Sequence, residues 1–73
     1  MEFRFSEWEL KELETAWKKL KETQLLGTRA SGEHYLIVSL LKSFGCRDRF
    51  ESSSQVENYV EYVLEHGVSP EIY

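Results

Sequence analysis

A chain of 73 residues with a formal charge of −4, 41% hydrophobic residues, 14% aromatic residues and one proline has enough apolar material to fold and too little length for more than one domain. The acidic balance argues against nucleic acid, whose binding is driven by Lys and Arg releasing counterions from phosphate, and the single cysteine excludes an internal disulfide and a four-cysteine zinc site. The opening residues lack the basic stretch and apolar run of a signal peptide, and no apolar run approaches the roughly 18 residues of a membrane span, so an intracellular protein (cytoplasmic or nuclear) that does not enter a membrane is expected. A domain this small buries only about 60% of its unfolded surface, so good packing or a partner must supply the margin.

The first helix is expected over 7–26, after a short arm formed by residues 1–5. Ser6 followed by Glu9 is a capping box, and Phe5 with Leu10 is the matching hydrophobic staple. Glutamates crowd the start, at Glu7, Glu9, Glu12 and Glu14, and Lys18, Lys19 and Lys21 follow near the end, the charge order a helix dipole favours. Glu7–Lys11 and Glu14–Lys18 are spaced as i,i+4 pairs. Leu10, Leu13, Trp17 and Leu20 form one apolar stripe flanked by Ala16. Gly27 suits the left-handed end position.

The second helix is expected over 32–44, with Ser31 as cap and Gly45 as terminator. Ile37, Leu40, Leu41 and Phe44 share a face, with Leu36 and Val38 beside it. Such a helix is apolar over most of its circumference, which predicts a central position in a small bundle. The run from Tyr35 to Val38 also suits a strand, but no partner strand is evident. A third helix is expected over 53–66, begun by a capping box at Ser54 and Glu57 or by the competing pair Ser52 and Gln55. Val56, Tyr59, Val60 and Val63 form its apolar face, and Gly67 closes it before a tail formed by 68–73. Pro70 suits the first position of a final turn. The fold class is therefore all-α: a small three-helix domain, built either as a bundle or as a homeodomain-like tri-helix.

Chemistry finds little to work with. In an up-down-up bundle, Cys46 and His34 lie at opposite ends of the second helix, roughly 18 Å apart at about 1.5 Å per residue. Nucleophile activation needs about 3 Å. A small apolar or half-exposed thiol is the expected reading. The same topology brings His34 and His66 to one end beside Glu33 and Glu65, but no i,i+4 histidine pair or HExxH spacing supports a metal. No glycine-rich phosphate loop is present, and neither catalysis nor a cofactor is expected.

Two features point to contact with another protein. Trp8 falls about 150° from the Leu10–Trp17 stripe at 100° per residue. It is either an exposed aromatic anchor, with Phe3 of the arm beside it, or a ring covered by that arm or by the loop around Phe50. Glu57, Glu61 and Glu65 are spaced by four, and no Lys or Arg in their own helix relieves them. They form either a solvated ridge or an acidic strip for a basic partner segment.

Phe5-Ser6 followed by Glu9, Leu13, Ala16 and Trp17 resembles the first helix of SANT/Myb-like, homeodomain-like tri-helical domains. Tyr35, Val38 and Leu41 are similar to the second helix of that class, and Gln55-Val56 with Tyr59 to the start of its third. The connection from Leu25 to Ser31 is long for the class. Its groove-reading third helix here carries Glu57, Glu61 and Glu65 where phosphate demands cations. The resemblance thus implies the protein-binding branch, which engages basic tails. The expected function is a non-enzymatic regulator or adaptor that docks through Phe3, Trp8 and the three glutamates, with homodimerisation one form of docking. The alternative is a DNA-binding tri-helical transcriptional regulator.

Overall fold

The computed structural model describes residues 3–27, 31–46 and 48–70. It is a small all-α domain of three helices: α1 (Glu7–Leu25), α2 (Ser31–Ser43) and α3 (Ser53–His66). No described helix is long and apolar enough to cross a membrane.

Helix α1 starts as its cap dictates. Ser6 is extended, its Oγ accepts the Glu9 N–H at 3.4 Å, and its own N–H donates to Glu9 Oε1 at 2.8 Å, so both halves of the capping box form. Removing the hydroxyl with Ser6→Ala should cost about 1 kcal/mol, read as a lower urea midpoint with an unchanged slope. Of the two expected i,i+4 pairs only Glu14–Lys18 closes among the described residues, at 3.1 Å on an exposed surface, where such a pair contributes little.

Helix α2 ends in a Schellman motif. Gly45, with φ +99, donates to the Lys42 carbonyl at 3.0 Å, and Cys46 donates to the Leu41 carbonyl at 3.1 Å. The positive φ is why glycine stands there, and the buried Leu41 and Cys46 supply the apolar contact that goes with this ending. Helix α3 uses the competing cap: the Gln55 N–H donates to Ser52 Oγ at 3.3 Å, and the Gln55 side chain accepts from the Glu51 N–H at 2.6 Å. That leaves Glu57 free of capping duty.

The helix directions follow from contacts at the two ends. Trp8, at the start of α1, meets Phe44, just past the end of α2 (ring centroids 5.5 Å apart), so these helices are antiparallel. His34, near the start of α2, meets Glu57, near the start of α3, at 3.0 Å. At the other end, Phe5 packs on Phe44 (6.4 Å) and its N–H donates to the Gly67 carbonyl at 3.0 Å. Helices α2 and α3 therefore run in the same direction, and residues 44–46 and 48–52 lie on a segment that returns along the domain. The up-down-up arrangement is not formed.

Tyr59 holds this return segment. Its hydroxyl donates to Asp48 Oδ2 at 2.6 Å, its oxygen lies 3.0 Å from Cys46 Sγ, and Phe50 meets its ring edge-on at 5.0 Å. The core then forms from Leu13 and Leu20 of α1, Ile37 and Leu41 of α2, and Val56, Tyr59, Val60 and Val63 of α3, with Phe5 and Cys46. The apolar face expected of α3 is the face that is buried. Trp17 and Leu40, placed in the core by the sequence, lie half-buried against its edge. A central α2 is likewise corrected: Tyr35 is 72% and Leu36 59% exposed, because with only two neighbouring helices one side of α2 must face solvent.

The arm and the tail join. Arg4 forms an antiparallel bridge with Val68, the Ser69 N–H donates to the Phe3 carbonyl at 2.8 Å, and the Phe3 N–H donates to Ser69 Oγ at 2.8 Å. Ser69 is buried, so this clasp satisfies polar groups that burial would otherwise penalise. Helix α3 can turn into the clasp because Gly67 takes a left-handed φ of +76. Pro70 is not helical, and the rest of the proposed final turn lies outside the described residues.

Candidate functional site

Trp8 is 62% exposed. Among the described residues Phe44 supports its ring, edge-on at an interplanar angle of 84°. The covers anticipated for it are engaged elsewhere. Phe3 packs on Phe5 at 4.8 Å and lies beside Gly45, while Phe50 packs on Tyr59. Trp8 is thus an exposed aromatic on a fixed base, and Phe3 is a half-buried packing residue of the clasp.

The three glutamates do not form one ridge. Glu57 is half-buried and links all three helices at one end of the domain. It accepts hydrogen bonds from His34 Nε2 at 3.0 Å and Gln24 Nε2 at 3.3 Å, and pairs with Lys21 Nζ at 3.6 Å. The relief missing from its own helix comes from α1 and α2, at a distance in sequence that periodicity does not register. Partial burial alone raises its pKa, but the bonds from His34 and Gln24 and the charge of Lys21 outweigh it, and the carboxyl is held below its usual range. A group so lowered adds stability above its unfolded pKa, and that stability is lost as pH falls through the folded value. Thermal melting below about pH 4.5 should therefore fall more steeply for the parent than for Glu57→Gln; equal slopes would remove this cluster from the acid response. Glu61 and Glu65 are exposed and remain available to a partner.

Cys46 is buried. Burial pushes its pKa up, against the contact with Tyr59 and the Asp48 backbone that pull it down, and the reactive form of a thiol is the thiolate. Sγ contacts Tyr59 and, at 3.5 Å, Asp48, and neither histidine. His34 and His66 stand at opposite ends, since α2 and α3 are parallel; the shared end anticipated for them with Glu33 and Glu65 does not exist. His34 bonds Glu57, and His66 stacks on Tyr62 at 4.1 Å. Among the described residues no group of three His, Cys, Asp or Glu stands close enough to hold a metal ion.

A further surface is not evident from sequence. An open groove of about 810 Å³ separates α2 from the return segment, lined by Tyr35, Val38 and Lys42 on one side, Arg49 and Phe50 on the other, and Val56 of α3. The local signal is Tyr35, Val38 and Lys42, spaced by three and four along α2, but the opposite wall exists only because the return segment folds back. Comparison with protein families, with curated proteins and with solved structures gives no significant match.

Proposed function

We propose that this chain is a small non-enzymatic protein-interaction module, a regulator or adaptor that acts by occupying another protein's surface. One observation carries the reading: Trp8, Leu25, Leu26, Tyr35 and Leu36 stand between 59% and 88% exposed in a domain that needs all the apolar burial it can obtain. Trp8 is the strongest single contact, because a large aromatic on a rigid base loses little entropy when it is covered. Glu61 and Glu65 steer a partner with a basic segment, acting on encounter rate more than on final affinity. The protein-binding branch implied by the SANT-like resemblance is in keeping with this chemistry. The DNA-binding alternative has less support, since α3 carries no Lys or Arg and exposes two carboxylates.

The test uses a partner recovered by the tagged chain from its native lysate, followed by binding kinetics with purified components. Trp8→Ala should speed dissociation, and the double change Glu61→Lys with Glu65→Lys should slow association and weaken its salt dependence, with both variants still folded by circular dichroism. A partner that binds both variants as it binds the parent would overturn the reading. So would tight, salt-sensitive binding of random duplex DNA by the parent.

A further inference from the structure

Building on the reading of this chain as an interaction module, we propose that the groove between α2 and the return segment is a second docking site, for a short peptide that seats a bulky apolar side chain on Val38, Phe50 and Val56 and directs a carboxylate to Lys42 and Arg49.

Charge identifies the occupant. From residue 31 to residue 70 the sequence has six carboxylates, Glu33, Asp48, Glu51, Glu57, Glu61 and Glu65, and three Lys or Arg, of which Lys42 and Arg49 are among the described residues. Both cations border this one groove. Neither has a carboxylate within ion-pair distance among the described residues, although the surrounding chain is rich in acids. Asp48 also borders the groove, but its Oδ2 accepts the Tyr59 hydroxyl and faces the core. Glu51 borders it too, next to the start of α3. Lys42 is in the last turn of α2, and the two helices start at the same end, so Glu51 and Lys42 mark opposite ends of the groove.

The groove therefore has Lys42 at one end and Glu51 at the other, with Arg49 on the facing return segment and apolar side chains between. From Tyr35 to Lys42 it runs about 10 Å along α2 at 1.5 Å per residue, the span of about three extended residues at 3.3 Å each. A three-residue core carrying one apolar and one acidic residue matches that length, with the acid at the Lys42 end. Tyr35, 72% exposed at the rim, can close over the apolar side chain. A polyanion is a poorer occupant, since it must pass Glu51 as well as the two cations. This face is chemically opposite to Glu61 and Glu65, so one domain could hold a basic and an acidic partner at once, as an adaptor does.

The probe is the blocked octapeptide Gly-Ser-Ala-Phe-Ser-Asp-Asp-Gly, titrated into the full chain and followed by amide shifts in two-dimensional NMR. Versions with Lys for Asp, and with Ala for Phe, serve as comparisons. The acidic peptide should move the amides of Tyr35, Val38 and Phe50 and bind at least about tenfold more tightly than either comparison at low salt. Lys42→Glu with Arg49→Glu, both exposed positions, should leave the free spectrum folded and reverse the preference towards the lysine peptide. Trp8→Ala should leave peptide binding unchanged, which separates failure at Trp8 from failure at the groove. Equal binding of acidic and lysine peptides, shifts confined to α3 or the surroundings of Trp8, or displacement of the peptide by random duplex DNA would each overturn the proposal.

Discussion

Leu41→Ala is expected to destabilise the domain by about 2–5 kcal/mol, and Leu40→Ala by clearly less. The residues are neighbours on one apolar helix, and local pattern does not separate them. Packing does: Leu41 is 1% exposed in the central cluster, whereas Leu40 is half-buried at its edge. Deleting three carbons from an enclosed site leaves a cavity that neighbours fill only in part, while an edge site can relax or admit water. Leu41 also lies at the Schellman ending of α2, where its carbonyl accepts the Cys46 N–H. Loss of its side chain should therefore loosen the turn that starts the return segment. At about 0.05–0.15 kcal/mol per residue, a domain of this length holds roughly 4–11 kcal/mol in all, so the Leu41 variant should lose a large share of its stability. Urea titrations of the two variants decide the matter; if Leu40→Ala costs as much as Leu41→Ala, α2 is rotated about its axis so that both leucines are enclosed.

The two leucines show what the sequence makes legible. Ser6 with Glu9 predicts the start of α1 because a cap is a contact between residues three apart. The apolar face of α3 is equally plain, since Val56, Tyr59, Val60 and Val63 are its main apolar stripe and Glu57, Asn58, Glu61 and Glu65 fix the polar side. Helix α2 offers no such contrast. With Tyr35, Leu36, Ile37, Val38, Leu40 and Leu41 in one run, every rotation buries something apolar, and only the positions of α1 and α3 choose among them. Helix direction is also not a local property. The nine residues from 44 to 52 are long enough to reverse or to return, and what selects the return is Tyr59, whose polar partner Asp48 lies eleven residues away. The Glu57 cluster and the groove depend on that choice. They are unreadable for the same reason, whereas Trp8 stands out because its angle places it off the stripe of its own helix.

Tyr59→Phe, the second large effect, tests that pivot by removing one oxygen. It should destabilise the domain by about 1–3 kcal/mol, the cost of depriving a buried or half-buried polar group of its partner. The ring, the edge contact with Phe50 and the packed volume are retained, so a cavity cannot account for the loss. What disappears is the 2.6 Å bond to Asp48 and the 3.0 Å contact with Cys46. Burial first, and the Asp48 carboxylate next, raise the pKa of the hydroxyl far above the usual tyrosine range. It therefore remains a protonated donor through neutral pH, where its contribution should be level. Comparison with Asp48→Asn and with the double variant isolates the pair, and a coupling of about 0.5–3 kcal/mol is expected for residues in direct contact. Hydrogen exchange adds a spatial reading: amides of residues 48–52 should lose protection in Tyr59→Phe while those in the middle of α1 keep theirs, because the return segment is released before the core opens. A coupling near zero, with unchanged exchange in 48–52, would mean that Phe50 and the Schellman turn hold the segment without the hydroxyl, and the groove wall would then rest on packing alone.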